Sequence, residues 1–155
     1  MAFNLSQRSF QRLVGVHPKL IETVKLAITY TSVDFGVIFG VRDLATQEKL
    51  FKSGKSQTMA SKHLIQDDGY SHAVDLMAYD SGEPSWDLVD YDNIADAMKK
   101  ASNEVGIKVR WGASWHIDNI SEWDGTMEDA MNAYIDLRRK QGRRPFIDGP
   151  HFELR

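Results

Sequence analysis

Short apolar segments of two different periodicities constrain the fold of this chain more than any other feature. Some are rich in β-branched and aromatic residues, as strands are, and others carry apolar residues three and four positions apart, as on one face of a helix. Strands and helices interleaved at irregular intervals predict an α+β domain with a small, mainly antiparallel sheet and flanking helices. The predicted strands are residues 35–42, 72–79, 107–111 and a short one at the end of the chain, and the predicted helices are residues 5–13, 19–30, 43–51, 94–105 and 127–140.

The length of the chain suits one hydrophobic core. With 155 residues, 42% of them hydrophobic, it has the size of a single domain. The sequence contains no repeat, no low-complexity tract and no long linker. We therefore expect one domain spanning residues 1–155, and we expect a monomer.

The composition excludes several functional classes. The absence of cysteine excludes disulfides and thiolate catalysis, so a metal would have to be held by His, Asp or Glu. A net charge of -3 does not favour binding to nucleic acid. The basic residues at 138–144 suit the negative end of a helix dipole. The sequence has no basic segment followed by an apolar run, and no apolar run near the roughly 18 residues of a membrane span. We expect no signal peptide, no stable membrane association and synthesis in the cytoplasm.

Histidine and aspartate residues suggest a metal site. His63 and Asp75 flank a predicted loop-to-strand junction, and His151 lies close to the last residue. Three such ligands leave a fourth tetrahedral position for water, the pattern of a catalytic zinc. Because side chains alternate along a strand, His72 and Asp75 face opposite ways, and we do not expect His72 to be a ligand. His17, at a predicted helix start, is expected to be structural.

The third ligand could be His116 or His151. A hydrolytic zinc site also needs a general base, and a carboxylate three residues before a ligand can reach the required position around a turn. Asp148 has this spacing to His151, whereas Ala113 occupies the same position before His116. We therefore predict His151 as the ligand, Asp148 as the base, and His116 as a cleft-wall or surface residue.

The roles of three further features are left open by their spacing. Arg42 ends a buried strand, where it can pair with a carboxylate or face the site. Ser61 can hydrogen-bond substrate or orient the loop that carries His63. The acidic segment 118–129 could bind a second ion such as calcium, although most acidic loops bind none.

Several motifs together resemble a known family of zinc peptidases. This family includes the D-alanyl-D-alanine carboxypeptidases of the VanY type, and the resemblance is closer to the L-alanyl-D-glutamate peptidases that serve as phage endolysins. It extends from residue 35 to residue 155, and the combination of motifs is specific whereas each one alone is weak. The motifs are Gly40-Val-Arg42 with Gln47, Gly54-Lys-Ser56, Ser61-x-His63, Ser71-His-Ala-Val-Asp75-Leu, Val109-Arg-Trp-Gly112 and Asp148-x-Pro-His-Phe-Glu-Leu.

The resemblance implies a fold like that of Hedgehog and D,D-peptidase domains, a zinc cofactor, and cleavage between L-alanine and D-glutamate in peptidoglycan stem peptides. A phage lysin of this kind would stay in the host cytoplasm until released to the cell wall, and the length leaves no room for a separate wall-binding module. Rival interpretations are a D,D-carboxypeptidase or dipeptidase, and a non-catalytic peptidoglycan-binding module. The implied residues are His63, Asp75 and His151 as zinc ligands, Asp148 as general base, Arg42 for the oxyanion or a substrate carboxylate, and Ser61 for substrate.

The chain departs from the family pattern around two of these motifs. Ser71 stands where the family has glycine, and seven residues (64–70) rather than two separate it from His63. This predicts a longer loop without moving the ligands. Ser114 lies where relatives often carry an aspartate, so no role of that acid is transferred to it.

Overall fold

The computed structural model describes residues 2–56 and 58–155, and five strands form an antiparallel sheet in this part of the chain. The strand order is β1-β2-β5-β4, with β3 pairing separately with β2. β5 pairs with the first half of β2, and β3 pairs with its second half. The chain thus follows the predicted α+β class. The strands are β1 (Asp34–Phe39), β2 (Ala73–Asp80), β3 (Glu83–Ser85), β4 (Val109–Trp111) and β5 (His151–Leu154).

In the described residues five α-helices flank the sheet, and local capping explains where most of them begin. The side chains of Ser6, Asp43 and Thr126 each accept a hydrogen bond from the backbone N–H three residues later. Pro18 occupies the first position of its helix, where its missing N–H costs nothing. The helices are α1 (Gln7–Arg12), α2 (Pro18–Tyr30), α3 (Leu44–Lys52), α4 (Leu88–Val105) and α5 (Met127–Lys140). None of the helices in the described residues is long and apolar enough to cross a membrane.

The central strand β2 separates the hydrophobic core from the opposite face of the sheet. Val74, Leu76 and Ala78 are fully buried in the core, which α2 and α4 complete by packing against each other. Asp75 points the other way and lines a cleft. The alternation predicted for this strand is therefore present, and it presents a carboxylate at the cleft floor.

The first strand is shorter than predicted because the backbone must approach α1 closely. A side chain at Gly40 would put its Cβ 2.2 Å from the carbonyl oxygen of Arg12. The chain leaves the sheet after Phe39, and the N–H of Arg42 bonds instead to the carbonyl of His63 at 2.9 Å. Arg42 thus lies beside the His63 loop rather than in a strand.

The segment predicted as a loop over residues 80–90 contains a hairpin and the first residues of a helix. Ser81 and Gly82, with φ angles of 52° and 83°, form the tight turn between β2 and β3, as hairpin turns with two positive φ angles do. β3 has three residues, one of them Pro84, too few to show a periodicity. α4 then begins at Leu88, six residues before the predicted start at 94.

A buried carboxylate on α4 lies outside the lining of the cleft. Asp92 is 5% exposed, and its Oδ1 has no hydrogen-bond partner among the described residues. Burial raises the pKa of Asp92 to about 6, and the charges of Glu128 and Asp96 add to the effect. Ionised Asp92 therefore destabilises the fold, since the unfolded chain solvates the charge freely.

We expect Asp92→Asn to stabilise the protein at neutral pH. The pKa of Asp92 is higher in the folded than in the unfolded protein. The wild type therefore has its full free energy of unfolding below the unfolded pKa and loses part of it as pH rises through about 6. Relative to wild type, the variant should gain up to about 3 kcal/mol at about pH 8 and little at about pH 4. Urea unfolding at both pH values measures this difference. Exposed Asp136→Asn is the matched control, and an equal gain at both pH values would contradict the prediction.

Candidate metal centre

Three side chains from distant parts of the chain converge on the cleft floor. Asp75 on β2 lies directly opposite His151 on β5, and His63 reaches them from the loop before β2. Their ligand atoms all lie within 4.8 Å of one another. The structure therefore brings together the three residues predicted as metal ligands.

The spacing of these atoms fits a tetrahedral metal. Oδ1 of Asp75 lies 3.1 Å from Nε2 of His63 and 3.3 Å from Nδ1 of His151. Ligand atoms about 2.1 Å from a tetrahedral zinc lie about 3.4 Å from each other. The side chains are 2%, 13% and 9% exposed for His63, Asp75 and His151, so an ion bound there would be largely shielded from solvent. The group can hold a divalent metal with few changes in position.

Backbone groups fix the orientation of His63. Its Nδ1–H donates to the carbonyl oxygen of Gly40 at 2.7 Å, which leaves Nε2 for the metal. Ser61 Oγ accepts a hydrogen bond from the N–H of His63 at 3.1 Å. Of the two roles considered for Ser61, the structure thus contains the loop contact, and Ser61 also lines the cleft.

A glutamate orients His151 from behind. The Nε2–H of His151 donates to Oε1 of Glu153 at 2.8 Å, so Nδ1 faces the site. Burial would lower the pKa of His151, but hydrogen bonds to Asp75 and Glu153 outweigh it and raise that pKa. Glu153 is not among the site residues predicted from the sequence, although residues two apart on a strand share a face and the pattern His-x-Glu carries that signal.

The two aspartates of the site have opposite electrostatic environments. Burial would raise the pKa of Asp75, but hydrogen bonds from His151 and His63 hold it well below its usual range. Burial raises the pKa of Asp148, and the negative charge of Asp75 raises it further. Asp75 is thus kept as an anion suited to binding a metal, while Asp148 is shifted toward the range in which a carboxylate can accept and return a proton.

Asp148 is held close to the ligands by Gly112. The N–H of Asp148 donates to the carbonyl of Gly112 at 2.8 Å, and the N–H of Gly112 donates to the carbonyl of His151 at 2.8 Å. A Cβ at Gly112 would lie 2.2 Å from the carbonyl oxygen of Asp148. The turn that positions Asp148 can therefore pack closely only if residue 112 is glycine.

Arg42 both pairs with a carboxylate and faces the cleft, which are the two possibilities considered for it. Its Nη2 lies 3.7 Å from Oδ2 of Asp75, and it lines the cleft. Its Nη1 donates to Oε1 of Gln47 at 2.9 Å. Gln47 is fully buried and donates in turn to Ser56 Oγ at 2.8 Å, so Arg42 is held in place by an amide whose role the sequence did not show.

The remaining histidines lie outside the site. His72 Nε2 lies 2.7 Å from Asp68 Oδ2, and His17 Nδ1 accepts the N–H of Lys19 at the start of α2. His116 is exposed and stacks on Tyr134 with ring centroids 5.7 Å apart, as expected of a surface residue. In the described part of the chain, one group of three or more side chains could hold a metal ion, namely His63, Asp75 and His151. No such group occurs in segment 118–129.

The chain is similar to known peptidases both in sequence and in fold. The family model described as phage L-alanyl-D-glutamate peptidase matches residues 1–155. The chain is 30% identical over 158 residues to the L-alanyl-D-glutamate peptidase of Escherichia phage T5, covering 99% of each protein. It also resembles the crystal structure of the Serratia marcescens L-Ala D-Glu endopeptidase ChiX, with a TM-score of 0.71, 33% identity, and coverage of 99% of this chain and 91% of that chain.

The convergence of three ligands predicts one tightly bound metal ion per chain. We expect His63→Ala, Asp75→Ala and His151→Ala each to abolish its retention, because two ligands remain in each variant. His116→Ala should retain the metal. Elemental analysis after zinc loading and gel filtration tests this set, and full occupancy in the three ligand variants, or loss in His116→Ala, would contradict it.

The contact between Glu153 and His151 predicts a smaller, graded effect. Glu153→Gln removes the charge that orients and polarises the imidazole, and we expect metal affinity to fall about 10–100-fold, as for other such outer partners. Competition with a chromogenic chelator measures the affinity. Glu122→Gln, at a residue outside the cleft lining, is the control. An unchanged affinity in Glu153→Gln would show that this contact does not support the metal.

Proposed function

The chain belongs to the family of phage L-alanyl-D-glutamate peptidases, and we propose that it is a zinc-dependent peptidoglycan endopeptidase that cleaves the L-alanyl-D-glutamate bond of stem peptides. The observation that carries this proposal is the convergence of His63, Asp75 and His151 beside a second, half-buried carboxylate, Asp148, in one cleft. Two imidazoles and a carboxylate are the donor set of many hydrolytic zinc sites.

Zinc held by His63, Asp75 and His151 would supply a Lewis acid that polarises the scissile carbonyl and makes a coordinated water more acidic. Asp148 then accepts one proton from the attacking water and delivers it to the nitrogen of D-glutamate as the C–N bond breaks. The water oxygen and its second proton remain on the new carboxyl group of L-alanine. The raised pKa of Asp148 suits a group that must both take and return this proton.

Two further side chains are assigned to the substrate. Arg42, held by Gln47 and Asp75, would direct its guanidinium at the negative charge that develops on the scissile carbonyl oxygen or at a substrate carboxylate. Ser61 uses its oxygen to accept the N–H of His63. Its hydroxyl proton can be donated to the substrate backbone.

We further propose that the protein acts as a phage endolysin. It would fold as one peptidase domain, remain in the host cytoplasm as a monomer, and reach the cell wall once the membrane is opened. The match of the family model to residues 1–155 and the similarity to the phage T5 peptidase over nearly its whole length support this role.

Product analysis on defined stem peptides tests the bond and the base together. We expect fragments ending in L-alanine and beginning with D-glutamate, lost with a chelator and restored by zinc. Asp148→Ala and the isosteric Asp148→Asn should keep the metal but lose about 100-fold or more in turnover, because a general base contributes that much. Asp118→Ala, at an exposed residue, is the control.

Three outcomes would contradict the proposal in different ways. Cleavage between two D-alanines would indicate a D,D-carboxypeptidase. Zinc binding without cleavage of any stem peptide would indicate a binding module. Wild-type turnover in both Asp148 variants would exclude Asp148 as the base.

A further inference from the structure

An aromatic wall extends from the metal ligands along one side of the cleft. The ring of Trp115 lies 5.4 Å from that of His151, and the ring of Phe146 lies 6.2 Å from Trp115 at an angle of 22°. The indole N–H of Trp115 donates to the carbonyl of Phe146 at 3.0 Å, which fixes the pair. We call Trp115 and Phe146 the aromatic shelf. An extended peptide with its scissile bond at the metal can lie against this surface on one side of that bond.

Two arginines border the aromatic shelf, and their circumstances differ. Arg110 lies over Trp115, 5.1 Å from the ring centroid, and its Nε and Nη2 both donate to the Trp115 carbonyl. Arg110 also lies opposite Glu153 in the sheet. Two donors of Arg110 are thus used within the protein.

Arg138 is held through its Nε, and its two terminal nitrogens have no hydrogen-bond partner among the described residues. Its Nε donates to Tyr134 Oη at 3.4 Å, and its guanidinium lies 5.7 Å from the Tyr134 ring centroid. Tyr134 Oη also accepts the N–H of Phe146 at 3.2 Å, so Arg138 is attached to the end of the aromatic shelf. Among the described residues, Arg138 forms no ion pair with a carboxylate, and it lines the cleft.

The other cations of the cleft are less suited to bind an anion. Arg42 is engaged by Asp75 and Gln47, and Arg155 pairs with Asp118 and Glu153. Lys55 and Lys62 lie on the loop that forms another part of the cleft, and their ammonium groups are single hydrated charges on flexible stems. A guanidinium with a fixed plane offers two parallel N–H donors to a carboxylate, which an ammonium cannot.

We propose that Arg138 is a specificity-determining residue that binds a free carboxylate of the stem peptide on the leaving-group side of the scissile bond. This inference rests on the proposed function. D-Glutamate has two carboxyl groups, of which one forms the onward amide and the other remains free a few bonds from the scissile nitrogen. A diamino acid with its own carboxylate at the next position is the second source of the same chemistry. Arg42 is then left for the oxyanion.

The consequence is discrimination between carboxylate and amidated stems. Amidation replaces the anion by a neutral carboxamide, which removes the charge-assisted hydrogen bonds to Arg138. We expect the wild type to cleave the carboxylate form with a kcat/KM about 10–100-fold higher than the amidated form, the range expected for hydrogen bonds to a charged group. The difference should lie mainly in KM, because the contact is made in both the bound and the transition state.

Kinetics on a matched set of zinc-loaded variants test this proposal. Four synthetic stem peptides serve as substrates: the free-carboxylate peptide, the peptide amidated at D-glutamate, the peptide amidated at the diamino acid, and the peptide with lysine at that position. Arg138→Ala and Arg138→Gln should lose the discrimination, and the loss should follow whichever carboxylate is the source. Arg139→Ala, at the exposed neighbouring residue, and Lys62→Ala should keep it. Thermal melting and metal content of each variant establish that the fold and the centre are intact.

The failure of this proposal is distinct from failure of the proposed function. Equal cleavage of all four peptides by the wild type, or an Arg138→Ala profile identical to that of Arg139→Ala, would overturn the role of Arg138 while the endopeptidase stands. Loss of discrimination in Lys62→Ala instead would overturn it in favour of the lysine. A wild type that cleaves no L-alanyl-D-glutamate bond in any peptide overturns the proposed function, and this inference falls with it.

Discussion

The pairing of β2 with β5 is the constraint on which the rest of the structure depends. It brings Asp75 opposite His151, although 76 positions separate them in the sequence. A slip of one residue would turn His151 away from the cleft and put Phe152 in its place, because side chains alternate along a strand. The core opposes such a slip, since Phe152 is fully buried against Trp111 with stacked rings. The packing of apolar residues on one face thus sets the geometry of the proposed metal ligands on the other.

A chain of hydrogen bonds links the side chains that this strand register brings together. It runs from the Gly40 carbonyl through His63, Asp75 and His151 to Glu153, with each imidazole between two oxygens. In a poorly solvated environment such partners strengthen one another, and an unpaired group would be costly. Asp148 stands beside the chain rather than within it, which is why its pKa is raised while that of Asp75 is lowered. The same burial therefore yields one carboxylate suited to a metal and another suited to a proton.

The sequence predicted those parts of the fold that have long periodic patterns. Helix α5 was predicted at Met127–Lys140, where it is observed, and strand alternation separated His72 from Asp75. Short or tertiary features were missed: β3 has three residues, and the early end of β1 comes from the approach of Gly40 to α1. Likewise, the partners of Arg42 could not be chosen from spacing, since Gln47 and Asp75 reach it through two separate elements. Contacts between elements leave no local period in a sequence, and the finer details of the site are made of such contacts.

The lengthened loop between His63 and Asp75 illustrates how a departure from the family pattern can leave a site intact. The loop closes on itself, with Ile65 bridging to Ser71, and it is attached to the start of α2 through the bridge between Val16 and Ser71. The N–H of His72 donates to the carbonyl of Lys62 at 2.8 Å, so the two ends of the insertion meet. The extra residues therefore form a closed loop whose two ends are joined by the contact between Lys62 and His72. His63 and Asp75 lie close to this contact. The distance between them is therefore set by the contact and not by the number of residues in the loop.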